Sequence, residues 1–289
     1  MRSSNGSLAV TRIANVQSPP KVRTINKLTM VLNQMNKHPR VKSSASDEYI
    51  STRALLSREL RTSSIPDSEL TGNLGIYIER MHLSRVLLMH DLYRQILDVP
   101  GVVMELGVRW GQNMALFSAF RGMYEPFNYT RRVVGFDTFS GFPTVSMQDA
   151  ASREGGGETS AGDYSVTANW KLDLERILGH HESLSPLPHI KKWELVEGDV
   201  TETFRSYLDL HKELIVAMAY FDFDIYAPTK HCLELLLPRL TKGSVVVFDE
   251  LNCPEFPGET TAVKEVLGTH NIRLRREPNN PYVAWFRWE

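Results

Sequence analysis

The chain reads Val102-Val103-Met104-Glu105-Leu106-Gly107-Val108-Arg109-Trp110-Gly111, an apolar run that leads into a glycine turn. The run from Val102 to Leu106 predicts a short buried strand. Gly107 and Gly111 tolerate positive φ and let the backbone approach a ligand closely, before a helix that starts near Asn113. This pattern alone is a weak indication of a ligand site, because a structural strand-to-helix turn explains it equally well.

Four later runs of apolar and β-branched residues are also predicted to be strands, and helical patterns or long connections separate them. They are Arg132–Phe136, Trp193–Val196, Ile215–Phe221 and Ser244–Phe248. Runs that are buried on both faces and alternate with helices indicate a parallel sheet covered by helices on either side.

The C-terminal segment has a different pattern. Ile272–Arg276 and Tyr282–Trp288 flank Pro278-Asn279-Asn280-Pro281, which predicts a terminal antiparallel hairpin. We therefore predict an α/β fold with a doubly wound, mostly parallel seven-stranded sheet and a C-terminal antiparallel hairpin. This is the Rossmann-like arrangement of class I methyltransferases, whereas dinucleotide-binding domains keep their strands parallel.

Charge divides the chain into regions. Residues 1–46 carry eight basic residues and no acidic one, although the whole chain has a net charge of −1. We predict a basic, disordered arm there, and because it has no Phe, Trp or Tyr for stacking, we expect no nucleic acid partner. Residues 47–98 are predicted to be a helical region that contributes to the substrate site or to a dimer contact, and residues 99–289 to be the domain with the methyltransferase fold.

Composition narrows the class of protein. A hydrophobic content of 42% suits a soluble globular protein. No run approaches the roughly 18 to 20 apolar residues that a membrane span needs. Cys232 and Cys253 form no metal or redox motif. We expect a cytoplasmic protein and leave homo-oligomer formation open.

Acidic residues at the strand ends indicate which cofactor the glycine turn binds. Glu105 would repel a pyrophosphate, whereas S-adenosylmethionine offers an ammonium and a sulfonium group. Asp137 ends the second strand, where a carboxylate can bind a ribose diol. Asp199 ends the third strand beside the expected adenine, although it is equally expected as the N-cap of a helix from Thr201. The residues predicted to contact S-adenosylmethionine are Glu105, Gly107, Val108, Gly111, Asn113, Asp137, Thr138, Gly198, Asp199 and Asp222.

Four acidic residues end the next two strands, Asp222 and Asp224 at one and Asp249 and Glu250 at the other. Alternate residues share a strand face, and neighbouring parallel strands end at the same edge, so we expect four carboxylates in one cleft. Uncompensated carboxylates would repel one another, and a divalent cation would relieve the repulsion. Ligands that are all oxygen favour Mg²⁺ over Zn²⁺. In the alternative, Asp224 caps the following helix and Asp249 lies in a turn.

Several of these motifs occur in the same order in one known family. From Arg80 to the C-terminus the chain resembles the macrocin and mycinamicin sugar O-methyltransferases. The resemblance runs through Val99-Pro100-Gly101, Glu105-Leu106-Gly107-Val108, Phe136-Asp137-Thr138-Phe139-Ser140-Gly141-Phe142-Pro143, Asp222-Phe223-Asp224-Ile225-Tyr226 and Phe248-Asp249-Glu250.

The resemblance implies a metal-dependent transfer of a methyl group from S-adenosylmethionine to a hydroxyl of a small-molecule or glycan acceptor. The acceptor would be a sugar, a glycosylated natural product or a polysaccharide, with a metal-bound hydroxyl as the nucleophile. Asp222, Asp249 and Glu250 would hold the metal, and Asp224 would act as general base.

Two other functions stay open at this point. The Asp222-x-Asp224 pair followed by a second acidic pair imitates a phosphohydrolase of the haloacid dehalogenase type, but that interpretation leaves Glu105 and Asp137 unexplained. A non-catalytic binding protein with a degenerate methyltransferase fold is the other alternative, because the family usually has two aspartates where this chain has Asp249-Glu250.

Overall fold

This computed structural model describes residues 45–150, 159–278 and 280–289. The predicted basic arm lies outside the described residues except for its last two. The helices are α1 (Asp47–Arg61), α2 (Asp67–Leu70), α3 (Arg80–Arg94), α4 (Gln112–Tyr124), α5 (Trp170–Ser183), α6 (Val200–Leu210), α7 (Tyr226–Leu236) and α8 (Pro257–Val266). The strands are β1 (Val102–Leu106), β2 (Val133–Asp137), β3 (Trp193–Glu197), β4 (Val216–Phe221), β5 (Leu240–Phe248), β6 (Arg275–Glu277) and β7 (Asn280–Arg287).

The strands form one seven-stranded sheet in the order β3-β2-β1-β4-β5-β7-β6. β1 to β5 are parallel, and β7 runs antiparallel to both of its neighbours. The predicted fold class is thereby confirmed. The strand order reverses between β1 and β4, and in open sheets of this kind a crevice for ligands lies at that point, outside the carboxyl ends of the strands.

Register brings the central strand ends to the same level. Leu106 of β1 is paired with Phe136 of β2 on one side and with Phe221 of β4 on the other. Phe221 is in turn paired with Phe248 of β5. The residues that follow these four strands therefore begin side by side along one edge of the sheet.

Two strand boundaries differ from those predicted. β5 begins at Leu240 rather than Ser244, because Leu240 already pairs with Val216 of β4 before the fully buried part begins. The hairpin begins with β6 at Arg275, later than the predicted Ile272. Ile272 and Leu274 pack against the core instead of pairing at the edge of the sheet.

Helices cover both faces of the sheet. Apolar side chains of α6, α7 and α8 pack on one face, and those of α3, α4 and α5 pack on the other. In contrast, α1 and α2 contain no buried residue, and the predicted dimer contact of this region stays a prediction. Within the described part of the chain, no helix has the length and apolar character that crossing a membrane requires.

Candidate active site

A cleft of about 480 Å³ lies at the carboxyl edge of the sheet, bordered by the segments that follow β1 to β5. His82 and Arg85 of α3 also line it, so residues 47–98 contribute to the same cavity. The structure brings together in this cleft all the residues that the sequence predicted for cofactor, metal and base. They are Glu105, Gly107, Val108, Gly111, Asn113, Asp137, Thr138, Gly198, Asp199, Asp222, Asp224, Asp249 and Glu250.

Gly107 lies where the ends of β1 and β4 meet. Its φ is 101°, and a side chain at this position would clash with the carbonyl oxygen of Asp222. The N–H of Asp222 donates to the carbonyl oxygen of Leu106 at 2.8 Å, and the N–H of Gly107 donates to that of Phe136 at 2.9 Å. The glycine turn and the segment that carries Asp222 thus pack backbone against backbone, which only glycine permits.

The carboxylate of Asp137 holds the glycine turn in place. One of its oxygens accepts the N–H groups of Val108 and Arg109, both at 2.8 Å, and the other accepts the N–H of Phe139 at 2.5 Å. Burial raises the pKa of Asp137, and these N–H donors oppose that rise. A carboxylate has about four acceptor sites, so little capacity is left for a ribose diol. This positioning role is one that the sequence did not reveal.

Glu105 is a buried acid with an unpaired oxygen. Its side chain is 1% exposed, and its Oε2 has no hydrogen-bond partner among the described residues. Burial, and after it the negative charge of Asp222, raises the pKa of Glu105 well above the usual range. A cationic ligand in the cleft would supply the missing partner and stabilise the ionised carboxylate. The unpaired oxygen therefore fits the ammonium group of S-adenosylmethionine.

Asp199 has the structural role that the alternative interpretation assigned to it. Its carboxylate accepts the N–H of Thr201 at 2.9 Å and caps α6. Asp199 still borders the cleft, next to Gly198, whose φ is 130°. A contact with adenine would therefore be added to the capping role.

Arg85 forms ion pairs with two of the four clustered acids. Its Nη1 lies 2.9 Å from Oδ1 and 3.2 Å from Oδ2 of Asp249, and its Nη2 lies 2.9 Å from Oδ2 of Asp222. The hydroxyl of Tyr220 also donates to Asp249. The four carboxylates are therefore not all uncompensated, contrary to the prediction from the sequence, because an arginine from outside the sheet neutralises part of their charge.

The sequence contains a signal for Arg85. Met81 and Leu88 have the spacing of apolar residues on one face of a helix, and Arg85 falls between them on the same face. A charged residue on a face directed at the core needs a partner there, because burial of an unpaired charge is costly.

Asp224 is buried in the cleft with its pKa raised well above the usual range. Burial contributes most, followed by the negative charges of Asp222, Glu250 and Asp249. Burial and the charge of Asp249 also raise the pKa of Asp222 to about 7 and that of Glu250 to about 8. Carboxyl groups in such surroundings favour the neutral form, and a cationic ligand in the cleft would shift them toward the ionised form.

The backbone directs Asp224 in a way that the sequence did not predict. β4 ends at Phe221, so strand alternation does not apply to Asp222 and Asp224. Asp224 has a φ of 63°, a left-handed conformation that is uncommon outside glycine and often retained at functional sites. It does not cap α7, because the N-cap is Ile225 and has no side-chain hydrogen bond.

The acidic cluster has oxygen ligands but no preformed metal cage. Over residues 45–150, 159–278 and 280–289, no three carboxylate, imidazole or thiol side chains form a group that could hold a metal ion. The guanidinium of Arg85 is instead paired with both Asp222 and Asp249. The donors are all carboxylate oxygens, and burial, followed by the negative charge of Asp249, raises the pKa of Glu250. A hard divalent cation thus fits the chemistry of the donors, although not their present arrangement.

Comparison with known proteins identifies relatives over most of the chain. A model of the macrocin O-methyltransferase (TylF) family matches residues 83–275. The crystal structure of CalS11, a calicheamicin methyltransferase, is 43% identical, with a TM-score of 0.81 over 88% of this chain and 97% of that chain.

A second structure of CalS11, in its apo form and described as a TDP-rhamnose 3′-O-methyltransferase in calicheamicin biosynthesis, is 41% identical, with a TM-score of 0.74 over 85% of this chain and 96% of that chain. The O-methyltransferase NovP is 17% identical, with a TM-score of 0.53 over 71% and 79% of the two chains, and is similar in fold alone. No curated protein matches the sequence.

Proposed function

The chain belongs to the macrocin O-methyltransferase (TylF) family and is a sugar O-methyltransferase, and we propose that it transfers the methyl group of S-adenosylmethionine to a hydroxyl of a nucleotide-activated sugar. One observation carries this proposal: a single cleft holds Glu105, which suits a cationic donor, and Asp224, which suits proton removal from an acceptor. Family membership decides against a phosphohydrolase and against a non-catalytic binding protein.

The donor would lie across the ends of β1 to β4. Glu105 would pair with the ammonium of its methionine part, because the unpaired carboxylate oxygen needs a cationic partner. The adenosine part would extend along the segments after β2 and β3, past Asp137, Thr138 and Gly198. Asp222 would then lie near the sulfonium, where a negative charge is favourable.

The acceptor would enter from the side of α3. CalS11 is described as acting on TDP-rhamnose, and its similarity to this chain extends over nearly its whole length, which supports an acceptor of the same class. Arg109 and His82 border the cleft and provide positive or polarisable groups for a diphosphate. The guanidinium of Arg109 lies 4.9 Å from the ring centre of Tyr164, which keeps it at the cleft.

Asp224 would act as the general base. A C–O bond forms at the sugar hydroxyl while the C–S bond of the donor breaks, and Asp224 takes the hydroxyl proton. The products are the methyl ether, S-adenosylhomocysteine and a neutral carboxyl group, so charge is conserved. The positive sulfonium would favour ionised Asp224 before the reaction, and its loss would raise the pKa of Asp224 as the proton arrives.

Mg²⁺ is the second cofactor that we propose, with Asp222, Asp249 and Glu250 as the residues that would hold it. Bound there, it would lower the pKa of a coordinated sugar hydroxyl. Support comes from the all-oxygen donor set and from the negative charge of Asp249, which, after burial, raises the pKa values of Asp222 and Glu250.

Calorimetry with S-adenosylhomocysteine and a transfer assay with S-adenosylmethionine and TDP-rhamnose test the proposal. We expect calorimetry to show stoichiometric binding of S-adenosylhomocysteine. We expect mass spectrometry to show a sugar product whose mass has increased by one methyl group. Absence of binding would refute the donor, and binding without methylation of any nucleotide sugar would refute the acceptor class. Activity that survives exhaustive chelation would refute the metal alone.

A further inference from the structure

The guanidinium of Arg85 engages the carboxylates that a metal ion would need. Its two terminal nitrogens reach Asp249 and Asp222, each at 2.9 Å. These acids follow β4 and β5, which are neighbours in the sheet, so one side chain from α3 bridges two strand ends. The oxygens best placed to bind a cation are therefore already hydrogen-bonded to a positive group.

A guanidinium and a divalent cation compete for these carboxylates. Arg85 engages both oxygens of Asp249 and Oδ2 of Asp222, and two positive groups at such short range repel each other. Mg²⁺ binds oxygen at about 2.0–2.1 Å, whereas a charged N–H donor stays at about 2.7–2.9 Å from its acceptor. Carboxylates spaced for the guanidinium must move closer together before they can surround a metal ion.

The side chain of Arg85 can leave the acidic cluster toward solvent, because it is 25% exposed. Its two partners, in contrast, follow strands at the sheet edge. The later turns of α3 are anchored, because Leu88 is 3% and Leu92 is 1% exposed, whereas Leu83 is 46% exposed. Withdrawal of the guanidinium would therefore affect the first turns of α3 and leave the rest of the helix in place.

We propose that Arg85 is an internal competitor for the divalent cation. It neutralises Asp222 and Asp249 while the metal is absent and withdraws when the metal binds, which couples cation affinity to the order of the first half of α3. The inference rests on the metal site of the proposed function. Because His82 lies on the same half of α3 and also borders the cleft, metal binding would reshape the acceptor side as well.

Mn²⁺ binding to the full-length, chelator-treated protein tests the competition without any substrate. Free Mn²⁺ is measured by electron paramagnetic resonance during titration of the wild type and of Arg85→Gln. We expect Arg85→Gln to bind Mn²⁺ at least tenfold more tightly. The matched control is Arg80→Gln, which removes the same charge from an exposed position of α3 and should bind like the wild type.

The outcomes separate the two proposals. Mn²⁺ binding by the wild type that is equally tight or weaker in Arg85→Gln overturns the competition and leaves the metal site standing. Absence of binding up to millimolar Mn²⁺ in both proteins overturns the metal site and the competition together. Asp249→Asn in the Arg85→Gln background should abolish the tight site, and a site that survives this change also overturns the proposal.

Hydrogen exchange on the wild type provides a test that needs no variant to fold. We expect Mn²⁺ to accelerate amide exchange in residues 82–87 and to leave exchange in residues 88–93 unchanged. Unchanged or slower exchange in the first segment, at Mn²⁺ concentrations that saturate the site, would show that Arg85 does not withdraw.

Discussion

The backbone N–H of Glu250 donates a hydrogen bond to Oε1 of Glu259 at 2.9 Å, and Glu259 is completely buried. Burial, followed by the charge of Asp224, raises the pKa of Glu259 well above its usual range, which favours the neutral acid. Glu259→Gln keeps the acceptor and the volume, and we expect it to cost less than about 1 kcal/mol of unfolding free energy. Glu259→Ala leaves the N–H unpaired beside a cavity and should cost about 2–4 kcal/mol. Urea denaturation compares the two, and equal losses would contradict the neutral-acceptor role.

Asp224→Asn should remove the base and leave donor binding intact. We expect kcat to fall by about 10²–10⁴, the usual contribution of a general base. The affinity for S-adenosylhomocysteine, measured by calorimetry, should stay within about twofold, since an amide preserves the shape of the side chain. Asp209→Asn, an exposed change on α6, is the matched control and should keep full activity. A kcat above one tenth of the wild-type value in Asp224→Asn would exclude Asp224 as the base.

Glu105→Gln should weaken cofactor binding specifically. Loss of a charge-assisted bond to the donor's ammonium, worth about 1.5–3 kcal/mol, predicts a Kd for S-adenosylhomocysteine that rises about tenfold to a hundredfold. Glu197→Gln, at the end of β3, removes the same charge from a side chain that is 55% exposed and should leave the Kd unchanged. If both variants bind alike, Glu105 does not contact the ammonium.

Gly107→Ala should destabilise the protein and abolish donor binding, because the new Cβ has no room beside the backbone of Asp222. We expect a loss of at least about 3 kcal/mol in unfolding free energy, from strain and the displaced strand ends together. Gly179→Ala in α5 is the control, since nothing lies within 4 Å of its Cβ position. That substitution should stabilise the protein by up to about 1 kcal/mol. Denaturation curves that place the two variants at equal stability would contradict the backbone contact.

The acidic cluster should make the ligand-free protein less stable as pH rises. The pKa of Glu250 rises from 4.5 to about 8 on folding, so the folded state binds more protons between these values and stability falls across that window. Each such group contributes a slope of up to about 1.4 kcal/mol per pH unit. Glu250→Gln should flatten the curve of unfolding free energy measured between pH 5 and 8. A wild-type stability that increases over this range would refute the raised pKa.

Local patterns were enough to predict the strands and the acids at their ends. The run from Val102 to Leu106 is apolar along its whole length, and the structure gives it those same bounds. Because parallel strands end at one edge, Asp137, Asp222 and Asp249 could be predicted to meet in one cleft before any contact was known. The geometry of a parallel sheet was sufficient to predict that these three carboxylates lie in one cleft.

The contacts that organise the cleft depend on residues far apart in the chain. Arg85 and Asp222 are separated by 137 positions, and no strand or turn motif links them. The Asp137 carboxylate engages the N–H groups of the glycine turn, a contact that depends on how two loops approach in space. Sequence patterns describe one element at a time, so such partnerships between elements emerge only when the elements are packed.

The backbone contact between Gly107 and Asp222 joins the glycine turn to the segment that begins the acidic cluster, while His82 and Arg85 reach the cleft from a separate helix. In the proposed function, the sheet edge would carry the transfer chemistry and the helix would contribute to the choice of acceptor. Exchange of the helix that carries His82 and Arg85 would then be expected to alter which sugar is methylated. In such an arrangement, changes in one helix would alter the methylated product, while the residues at the sheet edge would stay the same.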